Sequence, residues 1–206
     1  MLFDILALIS VLSVIILLKR LLNIFPSLLA CIVRWKESIN LEASVKHSLD
    51  RNMIAIAMII PFCLVVYRFG LYTPKFMTQL DEAYRLPVTI GVILTYIGLR
   101  YIMGHMFRSR KMNPKTQKAA VSSAFTFFTI LTLLLIGTGS IMNFMKIAPE
   151  VIRSAMLWVS AATYFIFIIR KTQIFASSCS IFAAFLYLCA PEIFPTGALV
   201  ASALIL

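Results

Sequence analysis

Long apolar runs alternate with short charged segments along the chain, and each run suggests a membrane-spanning helix. A helix needs about 20 mainly apolar residues to cross the hydrocarbon core of a bilayer. Backbone groups inside lipid must find hydrogen bonds within the protein, which favours helices. The pattern therefore predicts an all-α polytopic membrane protein, a bundle of about six transmembrane helices. The predicted spans cover residues 2–18, 53–72, 86–106, 119–145, 151–169 and 174–194.

The segment between the first two predicted spans has a mixed pattern. Residues 21–33 are apolar but too short to span, and Arg34, Trp35 and Lys36 follow them. A tryptophan among cations is typical of the headgroup level. We therefore expect a cytoplasmic interfacial helix between the first two spans, opened or kinked at Pro26.

The last apolar stretch, residues 174–206, is too long for one straight span and carries a single acid, Glu192, between Pro191 and Pro195. We expect these prolines to break the last helix. At about 1.5 Å per residue, a helix that starts at Ile174 would rise about 27 Å by Glu192. This predicts that Glu192 lies near the outer boundary of the membrane.

Other patterns inside the spans predict kinks and helix contacts. Pro61 should kink the second span. Gly91, Thr95 and Gly98 lie on one face of the third span, where small residues let helix backbones approach closely. In the fourth span, a polar face indicates either a helix–helix contact or the lining of a translocation path, and the lack of an ionisable residue favours the contact. That face comprises Ser122, Thr126, Thr129, Gly137 and Ser140.

Composition places the chain in lipid rather than in water. Hydrophobic residues make up 61% of the sequence and charged residues 13%, whereas soluble domains have about 45–50% and about 25%. No polar block is long enough to fold outside the membrane. We therefore expect residues 1–206 to form a single transmembrane helical domain.

The positive charges predict the orientation. Segment 108–118 contains no acid, and its cations should face anionic lipid of the cytoplasmic leaflet or an acidic partner surface. With this segment inside the cell, six crossings leave both termini outside. The net charge of +11 fits this arrangement, and no basic face with interleaved aromatic residues points to nucleic acid. The cations of the segment are Arg108, Arg110, Lys111, Lys115 and Lys118.

Glu192 is the candidate functional residue, because an acid in an apolar setting must be wet, protonated or paired. Three interpretations are open. The carboxylate forms an ion pair with Arg68 or Arg153, it takes part in proton-linked transport, or it is simply exposed at the level of the headgroups.

The sequence contains no H-E-x-x-H, G-x-S-x-G or G-x-G-x-x-G pattern that would indicate catalysis. Its four cysteines lie in apolar runs without a C-x-x-C pair, which argues against a zinc site. We therefore expect no catalytic residue, metal or cofactor. The pattern favours a structural or assembly subunit that contacts other membrane proteins. The alternative is a small transporter or lipid-handling protein that uses Glu192 and inward-facing arginines.

The ending Phe185-Leu-Tyr-Leu-Cys-Ala-Pro-Glu-Ile-Phe-Pro195 resembles the closing signature of an uncharacterised integral membrane family of Bacteroidota, domain-of-unknown-function family 4271. The resemblance extends to the early basic, aromatic segment and to a short basic turn, Arg170-Lys171, before the last span. Pro191 and the lack of a charged tail depart from the family pattern. The resemblance implies a helical bundle in a bacterial inner membrane and supplies no activity.

Overall fold

The computed structural model describes residues 2–74, 77, 80–106, 114–177, 185 and 188–205, and these contain helices and turns but no strand. The prediction of an all-α fold is confirmed. The helices are α1 Leu2–Val33, α2 Trp35–Ala43, α3 Val45–Ala57, α4 Ile59–Arg68, α5 Glu82–Met106, α6 Pro114–Phe144, α7 Pro149–Ala176 and α8 Phe194–Ile205, with a π-helical turn, Cys189–Ile193, directly before α8.

Five helical stretches are long and apolar enough to cross a membrane. This supports a multi-pass membrane protein, while a sixth crossing stays a prediction. The stretches are Phe3–Val33, Val45–Arg68, Glu82–Gly104, Thr116–Phe144 and Pro149–Ala176.

The first helix differs from its prediction. Residues 21–33 do not form a separate segment, because α1 continues through Lys19, Arg20 and Pro26 without a break. The part of α1 after Arg20 enters the core of the bundle, where Leu21, Ile24, Leu28 and Cys31 pack against Leu41, Ile54, Met58 and Ile130. Residues 21–33 are therefore not the separate helix that was predicted, because other helices cover the apolar side chains on one face of the segment. Its interfacial position stays a prediction. The short polar helix between the first two long helices is α2.

The second predicted span is interrupted at Met58, three residues before Pro61, where α3 and α4 meet. Proline has no N–H to donate to the carbonyl four residues earlier, which here is that of Ala57. The helical stretch begins at Val45 rather than at residue 53. Its first turns are polar, and two of their side chains, Ser48 and Arg51, contact Glu42 of α2.

Helices α6 and α7 pack side by side along most of their length. Ala120 and Ile174 share one core cluster, the rings of Phe127 and Phe167 are 5.4 Å apart, and another cluster joins the far ends of the two helices. The polar face of α6 is buried at Ser122, Thr126 and Thr129, and the hydroxyl of Thr129 donates to the carbonyl of Phe125 in the same helix. This supports the predicted helix–helix contact for these positions, although Ser140 is exposed.

Gly139, rather than Gly137, marks a close approach between α6 and its neighbours. A Cβ atom at Gly139 would lie 3.0 Å from Met156 Cε and 3.0 Å from two ring carbons of Phe69, whereas one at Gly137 would meet nothing within 4 Å. We expect Gly139→Leu to lower the free energy of unfolding by about 1–3 kcal/mol through overpacking. The matched variant Gly137→Leu should change it far less. Thermal unfolding in detergent measures both, and equal losses would contradict the close approach.

The C-terminal helix α8 lies along α5 and runs antiparallel to it. Thr196 at the start of α8 is hydrogen-bonded to Tyr96 in the second half of α5, with 3.0 Å between the hydroxyl oxygens. Ser202, near the other end of α8, is 2.8 Å from the hydroxyl of Tyr72, which follows α4. The predicted span 174–194 therefore does not exist as one straight helix. Part of it lies outside the described residues, and the described helix starts near its predicted end.

Candidate functional site at two buried carboxylates

Glu192 lies inside the π-helical turn, where the chain departs from α-helical geometry. The N–H of Phe194 donates to the carbonyl of Cys189, five residues earlier. Pro191 and Pro195 lack the N–H groups that a regular α-helix would use here. Turns of this kind are frequent at functional sites. The side chain of Glu192 is buried, with only 2% of the residue exposed.

Two cations from two different helices contact the Glu192 carboxylate. Lys171 of α7 donates from Nζ to Oε1, and Arg100 of α5 forms an ion pair with Oε2. Lys171 is buried, and the Arg100 side chain is 20% exposed. We refer to Glu192, Lys171 and Arg100 as the Glu192 cluster. Because its members come from α5, α7 and the π-helical turn, the cluster cross-links three parts of the chain.

Aromatic rings and hydroxyl groups surround the Glu192 cluster. The ring of Phe167 lies 4.9 Å from Arg100 Cζ and 5.5 Å from Lys171 Nζ, distances at which a ring attracts a cation. The hydroxyl of Tyr164 donates to the main-chain carbonyl of Glu192 at 3.1 Å. These contacts offset part of the cost of removing three charged groups from water.

The partners predicted for Glu192 were wrong. Arg68 is exposed in the last turn of α4, and Arg153 donates to the hydroxyl of Thr73 at 3.0 Å. The interpretation of Glu192 as an exposed acid is also wrong, because the carboxylate is buried. Proton-linked transport through Glu192 stays a hypothesis.

The predicted depth of Glu192 changes as well. Lys171 and Arg100 lie toward the C-terminal ends of α7 and α5, the ends that the charge pattern assigns to the cytoplasmic side. Glu192 therefore lies at the same end of the bundle as these two cations, an end that the predicted orientation places in the cytoplasm rather than outside. The predicted depth assumed one straight helix from Ile174, but α7 ends at Ala176. Arg170 and Lys171 lie within α7 rather than in a basic turn.

The charges of the Glu192 cluster do not balance. Two cations face one carboxylate, which leaves a formal surplus of one positive charge. In addition, Nε of Arg100 is buried without a hydrogen-bond partner among the described residues. A buried surplus charge and an unused donor favour an additional anion nearby. Within the described part of the chain, no group of three His, Cys, Asp or Glu side chains is placed to hold a metal ion.

A second buried carboxylate, Glu42 of α2, has a similar arrangement. Its Oε2 atom is 2.8 Å from Arg51 of α3, and its Oε1 atom is 2.9 Å from Lys118 at the start of α6. Ser48 of α3 donates to Oε1 at 3.2 Å. We call these four residues the Glu42 cluster. It ties α2, α3 and α6 together at the end of α6 that the charge pattern assigns to the cytoplasm.

The electrostatics of the Glu42 cluster favour an ionised acid. Burial alone would raise the pKa of the Glu42 carboxyl. The hydrogen bond from Lys118 and the positive charge of Arg51 outweigh that effect, so the pKa of Glu42 lies below its ordinary value. Arg51 also uses two other acceptors, Asn52 Oδ1 and Ser48 Oγ.

The predicted lipid-contacting cations are described only in part. Arg108, Arg110 and Lys111 lie outside the described residues, as does the side chain of Lys115. Lys118 is 68% exposed but also contacts Glu42, so at least one cation of the basic segment has a partner within the chain. Contact of this segment with anionic lipid stays a prediction.

Sequence reasoning missed Lys171, Arg100, Glu42 and Arg51 as members of buried clusters. Basic residues near helix ends usually reach the headgroups, so nothing in their position indicated that Lys171 and Arg100 contact a buried acid. One signal did distinguish Lys171. It is followed by the apolar pair Ile174 and Phe175, which shows that the helix continues beyond the basic pair.

Comparison with known proteins does not identify a family for this chain. No protein-family model matches the chain, and searches of curated proteins and of solved structures found no significant match. The resemblance to the Bacteroidota membrane family therefore stays a prediction, and its C-terminal residues are its one specific part.

Proposed function

We propose that this chain is a non-catalytic structural or assembly subunit of a cell-envelope complex. In this proposal it is a multi-pass protein of a bacterial inner membrane, and both of its termini lie in the periplasm. In this proposal it belongs to the Bacteroidota family that its C-terminal sequence resembles. Its partners are other membrane proteins and, at the cytoplasmic side, anionic lipids.

The observation that carries the proposal is an open face of small residues on α5. A Cβ atom at Gly91 or Gly98 would meet nothing within 4 Å, and Thr95 is exposed and donates to the Gly91 carbonyl of its own helix. Small residues in a membrane helix usually allow a second helix to approach closely. Gly91 and Thr95 line a groove that α8 borders on its other side, but no described helix packs against the two glycines, so the face has room for a helix from another protein.

The two buried carboxylates support a non-catalytic role. Each acid is engaged by two cations that come from other helices. Buried ion pairs of this kind fix which segments lie together, at a desolvation cost that a well-packed apolar contact would not have. We therefore assign both clusters to holding the bundle in one arrangement.

Purification from the native membrane in a mild detergent tests the proposal. The wild type is expected to bring down a partner membrane protein in a fixed ratio. Gly98→Phe should lose that partner while the protein still accumulates, because the added ring covers the open face of α5. Gly137→Phe is the matched control on α6, where a Cβ also has open space. A wild-type monomer that carries only lipid would overturn the proposal.

A small transporter or lipid-handling protein is the second candidate, and the surplus positive charge of the Glu192 cluster favours it. If Glu192 carried protons during transport, Glu192→Gln would abolish uptake but leave the amount of folded protein unchanged. Loss of the folded protein would instead support the structural role.

A further inference from the structure

The surplus positive charge of the Glu192 cluster is not balanced by any other acidic side chain of this protein. The chain has eight acidic residues, and all eight are among the residues that the structure describes. Of these eight, only Glu192 forms an ion pair with Arg100 or Lys171. A net charge that is removed from water is costly unless it is neutralised. The cluster therefore becomes neutral either by binding an anion from outside the chain or by loss of a proton from Lys171, since an arginine keeps its proton in a protein.

The unused donor of Arg100 favours an anion over the loss of a proton. Nε of Arg100 is buried and has no hydrogen-bond partner in the described part of the chain. A neutral Lys171 would remove the surplus charge but leave this N–H group without an acceptor, which is unfavourable in itself. An anion supplies the negative charge and the acceptor together.

The two cations are placed so that one anion can contact both of them. Arg100 and Lys171 contact different oxygens of the same carboxylate. Arg100 Cζ lies 4.9 Å and Lys171 Nζ 5.5 Å from the centre of the Phe167 ring. The ammonium group of Lys171 has three N–H donors, and one of them donates to Oε1 of Glu192. An anion between Arg100 Nε and Lys171 Nζ would complete an alternating arrangement of two cations and two anions.

The Glu42 cluster has the same formal charges but does not need an anion. Nε of Arg51 donates to Asn52 Oδ1 at 3.1 Å, and Nη2 of Arg51 donates to Asn52 Oδ1 and to Ser48 Oγ. Lys118 is 68% exposed, so water stabilises its charge. The buried, unused donor next to a buried surplus charge therefore distinguishes the Glu192 cluster from the Glu42 cluster.

The burial of the Glu192 cluster limits the size of the anion. The side chains of Lys171 and Glu192 are only 5% and 3% exposed, and the side chain of Arg100, at 20%, is the most accessible of the three. None of the three residues lines the groove between α5 and α8. A lipid headgroup or an organic acid would need such a cavity at the cluster, whereas a monatomic ion does not.

We propose that the Glu192 cluster binds one small inorganic anion of the size of chloride between Arg100 Nε and Lys171 Nζ. The bound ion neutralises the cluster and stabilises the contact between α5, α7 and the π-helical turn. The inference goes beyond the subunit role in the proposed function and does not depend on it.

Thermal unfolding in detergent tests the site, with sodium chloride and sodium gluconate compared at equal ionic strength. Gluconate is too large for a site this buried and serves as the reference anion. We expect the wild type to unfold about 3–6 °C higher in chloride, once the chloride concentration is about tenfold above its dissociation constant. Bromide should replace chloride. Its anomalous scattering in a crystal should locate one ion within hydrogen-bond distance of Arg100 Nε and Lys171 Nζ.

Lys171→Met separates a bound anion from a general effect of salt. It leaves Arg100 and Glu192 as a formally neutral pair, so the rise in chloride should vanish. Lys118→Met is the matched control, because it removes a cation from the other cluster and should keep the full rise.

The inference would be overturned by equal unfolding temperatures of the wild type in the two salts or by a rise that persists in Lys171→Met. Loss of a proton from Lys171 would then be the way in which the cluster becomes neutral. If Lys171→Met failed to fold, a wild-type crystal without a bromide ion at the cluster would still overturn the inference. Because the native partner is measured separately by purification, each of these failures would leave the proposed function standing.

Discussion

Glu192→Gln is expected to lower the free energy of unfolding by about 3–5 kcal/mol, the usual cost of removing one member of a buried ion pair. The variant would leave Lys171 and Arg100 close together without an acid between them. Two like charges in an apolar surrounding repel one another and cannot be hydrated. Much of the protein should therefore fail to accumulate in the membrane, and the remainder should unfold at a clearly lower temperature in detergent.

The comparison variant is Lys171→Met, because it removes one of the two cations and leaves Arg100 and Glu192 as a formally neutral pair. We expect it to cost less than about 2 kcal/mol, since Arg100 still engages the carboxylate. Combining it with Glu192→Gln should restore part of the stability that the single Gln variant loses. Thermal unfolding of Glu192→Gln, Lys171→Met and the double variant in one detergent gives the order of their stabilities. If Lys171→Met proved as harmful as Glu192→Gln, charge balance would not explain the cluster.

Glu42→Gln is expected to have the second large effect, of about 3 kcal/mol, because Arg51 is almost completely buried and would lose its carboxylate. Lys118→Met is the matched control. Lys118 contacts the same carboxylate from an exposed position, so its removal should cost less than about 1 kcal/mol.

The Glu42 cluster also predicts a pH dependence with a definite sign. The pKa of Glu42 is lower in the folded than in the unfolded protein. Its contribution to stability is therefore fully present above the unfolded pKa, about 4.3–4.5, and is lost as the pH falls through the folded pKa. We expect the difference in unfolding temperature between the wild type and Glu42→Gln to be large at pH 7 and to shrink below about pH 4.5. A difference that stayed constant down to pH 3.5 would contradict this role.

The helices that could be predicted from the sequence were the long apolar ones, whose length is set by the thickness of the bilayer. An apolar run must be helical in a membrane, and α5, α6 and α7 contain the predicted spans 86–106 and 151–169 and most of 119–145. The interruption of the helix before Pro61 could also be predicted, because the effect of a missing N–H is local.

Features that depend on partners far away in sequence could not be predicted. Glu192 is paired with Arg100, 92 residues earlier, and Glu42 with Lys118, 76 residues later. A sequence pattern shows that an acid needs a partner but not which cation reaches it. For the same reason Pro26 was expected to open or kink a helix, whereas packing on both sides of it keeps α1 continuous.

The small residues of α5 illustrate a different limit. Their spacing predicted a close helix contact, but the described chain leaves Gly91 and Gly98 open. Spacing indicates that a face can accept a neighbour, and it does not say whether that neighbour belongs to the same polypeptide.

The core around the second half of α1 has a consequence for biogenesis. Leu28 packs in a cluster that also contains Ile130, which the ribosome adds 102 residues later. At about 5–20 residues per second, that interval lasts about 5–20 s. During this time the newly inserted α1 lacks its contact with α6. The apolar face of α1 that packs against α6 must therefore be covered by the insertion machinery or by a chaperone until α6 is synthesised.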